Sequence, residues 1–132
     1  MTRYMLDTNT LSYLVQAHPA VATRVQAVPM AALCMSSITE GELLFGLAKR
    51  PGAKRLHVVV RELLQRVDVL PWDHVAAERY GITRAELVRR GKTLAPLDLL
   101  IAAHAMSAGA VLVTSDKAFG QVADLIVEDW AR

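Results

Sequence analysis

The sequence predicts an α/β fold with a central, mostly parallel β-sheet flanked by α-helices on both sides. Two observations carry this expectation. Short apolar runs alternate with longer helical patterns along the 132 residues, which is the chain order of a parallel sheet with crossover helices. The runs are apolar at successive positions, as strands buried on both faces require. A third observation concerns size. A chain of 132 residues, 53% of them hydrophobic, has the material for one compact domain over 1–132 and for its core.

The elements follow in order. Arg3 to Leu6 reads as a short buried strand. A helix begins near Thr8 to Thr10 and carries Leu11 and Leu14. Pro19 opens a second helical piece through Val21 and Val25, because proline is accepted in a first turn. Ala32 to Ser37 reads as a second strand. Ser37 or Thr39 can cap the helix that follows, and Thr39-x-x-Glu42 fits a capping box. Pro51 and Gly52 break that helix. Ala53 to Gln65 is helical, with Leu56, Val59, Val60, Leu63 and Leu64 on one stripe. Val67 to Leu70 is a short strand. Trp72-Asp73 starts a helix that ends near Gly91. Pro96 opens an apolar helix through Ser107, closed by Gly109. "AVLVTSD", from Ala110 to Asp116, is the clearest strand, and "DLIVEDW", from Asp124 to Trp130, is the last.

Composition narrows the setting. A formal charge of +2 neither requires nor excludes a nucleic-acid partner, since local patches outweigh net charge. Cys34 is the single cysteine, so no intrachain disulfide can form, which suits a reducing cytoplasm. Cys34 reads as a buried core residue. The N-terminal apolar run is broken at Asp7, unlike a secretory signal, and no apolar run reaches the ~18 residues of a membrane span.

In parallel sheets, ligands bind beyond the carboxyl ends of the strands. Asp7 and Asp116 both follow strand candidates. Glu42 in "TEGELLFG" and Asp98 in "APLDLL" lie near helix N-termini, where the helix dipole favours a carboxylate. Each acid alone reads as a cap or a solvated loop acid. Together they invite a different account. Two unit charges ~4 Å apart repel by about 4 kcal/mol at an effective dielectric near 20, so converging carboxylates need protons or a cation. Oxygen ligands without Cys or His suit a hard ion, Mg²⁺ or Mn²⁺. Such ions activate water and neutralise charge developing on phosphate. Glu40 competes with Glu42 for the position on its helix. About 200° separates the two, and periodicity favours Glu42 only mildly.

"YMLDTNTLSYL", "SSITEGELLFGLAK", "APLDLLIAAHAMSAGAVLVTSD" and "VEDW" resemble the PIN-domain ribonucleases, and among them the VapC toxins of bacterial toxin–antitoxin pairs. The likeness runs from the first strand almost to the C-terminus, and implies a PIN-like α/β fold. The family's acids fall on Asp7, Glu42, Asp98 and Asp116. Its E-L-x-x-G pattern matches Glu42 to Gly46 and so selects Glu42 over Glu40. Thr8 and Asn9 fall on the polar positions beside the first acid, and Thr114 on a hydroxyl position that helps hold metal or water. Many close relatives read T-N-N or T-N-D where this chain has Thr114-Ser115-Asp116. The resemblance implies Mg²⁺- or Mn²⁺-dependent hydrolysis of RNA, leaving 5′-phosphate and 3′-hydroxyl ends. It implies a structured substrate such as a tRNA anticodon loop, and initiator tRNA in the branch this chain resembles most. It further implies a homodimer and a VapB-type antitoxin whose C-terminal segment wraps the groove, often with an arginine at the acids.

Other features remain. Lys49, Arg50, Lys54 and Arg55 form one basic cluster, and Arg84, Arg89, Arg90 and Lys92 a second. Either can grip RNA phosphates, or simply face solvent. The stripe from Leu56 to Leu64 covers the core or, with Phe45, receives the antitoxin. His18, His57, His74 and His104 show no pairing, which argues against a metal-free ribonuclease with histidine acid–base catalysis. Trp72 and Trp130 are expected to pack. A dehalogenase-type phosphohydrolase would want an acid where Asn9 stands. A catalytically silent PIN-like module for RNA or a partner remains the non-enzymatic alternative.

Overall fold

The computed structural model describes residues 1–132. Five strands form one sheet: β1 (Tyr4–Leu6), β2 (Leu33–Ser36), β3 (Asp68–Leu70), β4 (Val111–Val113) and β5 (Val127–Glu128). Their spatial order is β3-β2-β1-β4-β5, and every pairing is parallel. Six α-helices connect them: α1 (Thr8–Val15), α2 (Pro19–Gln26), α3 (Ser37–Ala48), α4 (Lys54–Arg66), α5 (His74–Arg89) and α6 (Pro96–Ser107). The expected α/β architecture is therefore present, with five strands and six helices where the pattern placed them.

The period of two along β1 divides the interior. Leu6 points with Leu33, Met35 and Val113 into a core closed by Leu11 of α1, Val21 of α2, Leu43 and Leu47 of α3 and Val60 of α4. Met5 points the other way, with Cys34 and Leu112, onto Ile101, Ala102 and Ala105 of α6. Alanines on α6 let that helix lie close to the sheet. Leu56, Leu63 and Leu64 pack against the first core, so the α4 stripe does cover it. Trp130 is buried there too and donates its indole N–H to Glu128. Cys34 is buried and free.

The strands are shorter than the apolar runs that announced them. The run from Ala110 to Asp116 contributes only Val111–Val113 to β4. The chain then turns at Thr114 and enters a 3₁₀ turn, Lys117–Gln121, capped by Asp116. Only Val127–Glu128 of the last run pairs. The expected cap of α3 is corrected. Ser36 holds that place, its hydroxyl accepting from the Ile38 N–H at 3.1 Å. Ser37 instead accepts from the Trp72 N–H at 3.0 Å. The Thr39–Glu42 capping box does not form, because Thr39 faces the core and Glu42 is held elsewhere.

The chain winds from β1 to β3 in one direction and resumes at β4 on the other side of β1. The switch point thus lies between β1 and β4, and a crevice forms there at the strands' carboxyl ends.

Candidate active site

Asp7 leaves β1 at this crevice and caps α1. Its Oδ1 accepts the Thr10 N–H at 2.8 Å, an ordinary capping bond. The neighbouring strand is tied in at the same place. The Val113 carbonyl accepts both the Asp7 N–H, at 3.1 Å, and the Thr10 hydroxyl, at 3.0 Å. Asp7 is only 5% exposed. Burial pushes its carboxyl above the ordinary range, while the facing Thr114 hydroxyl and the Thr10 N–H draw it back and Asp116 raises it further.

Thr114 and Asp116 follow β4. The buried Thr114 hydroxyl accepts the Asp116 N–H at 3.1 Å, so one side chain serves both strand ends. Asp116 is exposed and caps the 3₁₀ turn through the Ala118 N–H at 2.9 Å. Asp98 stands in the first turn of α6, behind Pro96. Burial raises its carboxyl, and the charges of Asp116, Asp7 and Glu42 raise it further. Glu42 lies in the second turn of α3, its Oε1 accepting the Thr8 hydroxyl at 2.6 Å. Asn9 is exposed at the start of α1.

Four carboxylates from two strand ends and two helices therefore share one electrostatic field. Glu40 has no part in it. That residue lines a separate groove with Leu64, Gln65 and Arg66, which gives a geometric reason for preferring Glu42. The four do not form a ready-made chelate, since no three Asp, Glu, His or Cys side chains sit at ligating separation. The all-oxygen donor set and the raised proton affinities of Asp7 and Asp98 both fit a hard divalent cation. No histidine joins the cluster. His18 caps α2, His57 meets the Arg50 carbonyl, and the buried His104 ring contacts Ser36 Oγ at 2.8 Å.

Thr10, which supports Asp7, and the buried His104–Ser36 contact at the start of α3 were not foreseen. Thr10 could have been found from the D-x-x-T spacing of a cap and its third helical residue. Nothing in the sequence marks His104, whose partner Ser36 lies 68 residues away.

Comparison with known proteins identifies the family. Residues 4–125 match the PIN domain family model. The chain is 36% identical over 132 residues to a tRNA(fMet)-specific endonuclease VapC of Shigella flexneri, covering 99% of this chain and all of that one. It is 34% identical to Ribonuclease VapC2 of Haemophilus influenzae (strain ATCC 51907 / DSM 11121 / KW20 / Rd), covering 98% and 99%. Among solved structures, DNA-bound VapBC from Salmonella typhimurium superposes with a TM-score of 0.91 at 37% identity, covering 98% of this chain and 99% of that one. The chain accordingly belongs to the PIN-domain family, in its VapC branch.

Proposed function

We propose that this chain is a VapC-type endoribonuclease toxin that hydrolyses RNA phosphodiesters. Its substrate is tRNA, with the anticodon loop of initiator tRNA as the first candidate, and its action stops translation. The single observation that carries the reading is the shared field at the β1–β4 crevice, where Asp98 is perturbed by Asp116, Asp7 and Glu42 at once. Relatives from Shigella and Salmonella at 36% and 37% identity are named tRNA(fMet)-specific endonucleases, which supports the substrate.

Asp7, Glu42, Asp98 and Asp116 would hold Mg²⁺ or Mn²⁺. When bound, that ion supplies positive charge against the charge developing on phosphate, and makes water a better nucleophile at neutral pH. The chain's own groups position the rest. Thr8 fixes the Glu42 carboxylate through its hydroxyl. Thr10 and Thr114 orient Asp7. Asn9, exposed in the first turn of α1, offers amide hydrogens to a phosphate oxygen. Asp98 orients the attacking water. The new bond joins the water oxygen to phosphorus and the P–O3′ bond breaks. One product carries a 5′-phosphate, and the departing O3′ takes a proton to become a 3′-hydroxyl.

The partner reading is of the same kind. A groove of about 370 Å³ runs between α1, α3 and α4, lined by Thr8, Val15, Glu42, Leu47, Lys49 and Arg50. Its apolar floor and its opening onto Glu42 suit the C-terminal segment of a VapB-type antitoxin, with an arginine reaching the acids. The Salmonella neighbour is itself a VapBC assembly. A homodimer in the cytoplasm is part of this proposal, and no helix of the chain is long and apolar enough to cross a membrane.

The test is incubation of the purified, antitoxin-free chain with bulk bacterial RNA, with Mg²⁺ or with EDTA, followed by mapping of the ends. Discrete Mg²⁺-dependent cuts bearing 5′-phosphates are expected, and their position names the substrate. No cuts from folded protein with either Mg²⁺ or Mn²⁺ would leave the silent binding module in its place. Cuts that survive EDTA would remove the four acids from the chemistry.

A further inference from the structure

An acid cluster repels RNA, so a cationic rim must hold the phosphates on either side of the scissile bond. The sequence offers two clusters and does not choose between them. Their placement differs. Lys49, Arg50, Lys54 and Arg55 lie at the C-terminal end of α3 and the start of α4, where Lys49 and Arg50 line the groove beside Glu42 that is assigned above to the antitoxin. The Lys49 ammonium lies 4.8 Å above the Phe45 ring, and none of these four cations lies on the segments that carry Asp98 and Asp116.

The second cluster is built into the segments that carry two of the acids. Gly91, at φ 65°, ends α5, and the Lys92 N–H turns back to the Leu87 carbonyl at 2.9 Å. The loop then runs through Thr93 to Pro96 and Asp98. On the other side, Lys117 directly follows Asp116 and opens the 3₁₀ turn. Gln121, at the end of that turn, joins the two segments. Its side-chain amide donates to the Thr93 carbonyl and to the Ala118 carbonyl, each at 3.1 Å. The Arg90 guanidinium donates to the Gln121 carbonyl at 3.3 Å. Arg89, Arg90, Lys92 and Lys117 are all exposed, and none pairs with a carboxylate, as is also true of the first cluster. What sets the second apart is its tie to the acid-bearing segments.

We infer that the α5–α6 loop and the turn after Asp116, clamped together by Gln121, form the rim that holds RNA phosphates beside the acids, with Lys92 and Lys117 as the contact residues. The inference rests on the ribonuclease reading and deepens it. Gln121 is a positioning residue: it touches no phosphate but fixes the spacing of the two lysines and of the segments bearing Asp98 and Asp116.

The test is binding of fluorescein-labelled bulk bacterial tRNA to the Asp7→Asn chain without divalent ions, by anisotropy over a range of salt. Each lost phosphate contact lowers the slope of log K against log[salt] by about 1. Lys92→Gln/Lys117→Gln is expected to lower the slope by about 2, and Lys54→Gln/Arg55→Gln to leave it unchanged. Gln121→Ala is expected to weaken binding several-fold at an unchanged slope, since no charge is removed. An unchanged slope in the Lys92/Lys117 variant, with tRNA still bound by the Asp7→Asn chain, overturns the rim assignment alone. So does a loss confined to the Lys54/Arg55 variant, or a Lys92/Lys117 variant that fails only to bind its antitoxin. No tRNA bound by the Asp7→Asn chain, from folded protein, overturns the rim, while the ribonuclease reading stands or falls separately with the Mg²⁺-dependent cleavage assay.

Discussion

The Thr8 hydroxyl donates to Glu42 Oε1 at 2.6 Å across 34 residues of sequence. Thr8 opens α1 and Glu42 lies in the second turn of α3, so this bond fixes one acid by an element that begins beside another. A hydrogen bond to a charged group is worth about 1.5–3 kcal/mol. Thr8→Val is therefore expected to lower kcat/KM on tRNA by roughly 10- to 100-fold, with an unchanged circular dichroism spectrum. Thr8→Ser keeps the hydroxyl and is expected to restore most of the rate. Equal rates for Val and Ser at position 8 would remove Thr8 from the site.

The Asp98 carboxylate is held at a cost in the fold. Burial and then the charges of Asp116, Asp7 and Glu42 raise the Asp98 carboxyl above its ordinary 3.8. An acid raised in the folded state binds more protons there than in the unfolded chain. Stability therefore falls as pH climbs from about 3.8 through the raised folded value. At neutral pH in EDTA, Asp98→Asn is expected to melt a few degrees above the parent. Mg²⁺ is expected to raise the parent's melting temperature and to leave the variant nearly unmoved. Scanning calorimetry of both proteins, with and without Mg²⁺, decides this.

His104 gives the opposite slope at higher pH. Its ring is buried against Ser36, and burial lowers its pKa from 6.5, with Asp73 raising it in part. A base lowered in the fold contributes stability that is complete above the unfolded value of 6.5. That contribution is lost as pH falls from there through the depressed folded value. Urea melts between pH 8 and pH 5 should show the parent weakening through this window and His104→Gln weakening less. The cost of His104→Ala at pH 7.5 is about 1–3 kcal/mol, that of leaving a buried hydrogen-bonding group with one partner fewer.

Cys34 offers a simple probe of integrity. Its thiol is buried between the sheet and α6, and burial pushes its pKa up to about 11. Iodoacetamide at pH 7.5 is expected to leave it intact in the native chain and to label it fully in urea. Rapid native labelling would mean that α6 parts from the sheet.

The fold was legible because its signals are local. Apolar runs bounded by Pro19, Pro51, Pro96 and the turns at Gly91 and Gly109 give the order of elements. The ends were misjudged where tertiary contacts outweigh propensity. Ser36 caps α3 because the strand stops there and His104 meets it from another helix. Ser115 and Asp116 leave the sheet because β5 pairs only as far as the Thr114 N–H and the Glu128 carbonyl. The identity of the acids was legible only as a set of motifs. Spacing leaves Glu40 and Glu42 nearly equal; the E-L-x-x-G pattern of the resemblance selects Glu42, and Glu40 lines a separate groove. The clamp made by Gln121 was invisible, since glutamine on a loop carries no local pattern.

The place of β4 has a consequence for the chain's birth. Tyr4 to Leu6 pair with Val111 to Val113 in the middle of the sheet, so one edge of the first strand stays open until a strand made about a hundred residues later arrives. A nascent chain that has released Asp7 and Glu42 from the ribosome still lacks Asp98 and Asp116. The crevice forms only once β4 has been made. A fragment that stops before α6 therefore carries only two of the four acids and none of the strand that lines the other side of the crevice.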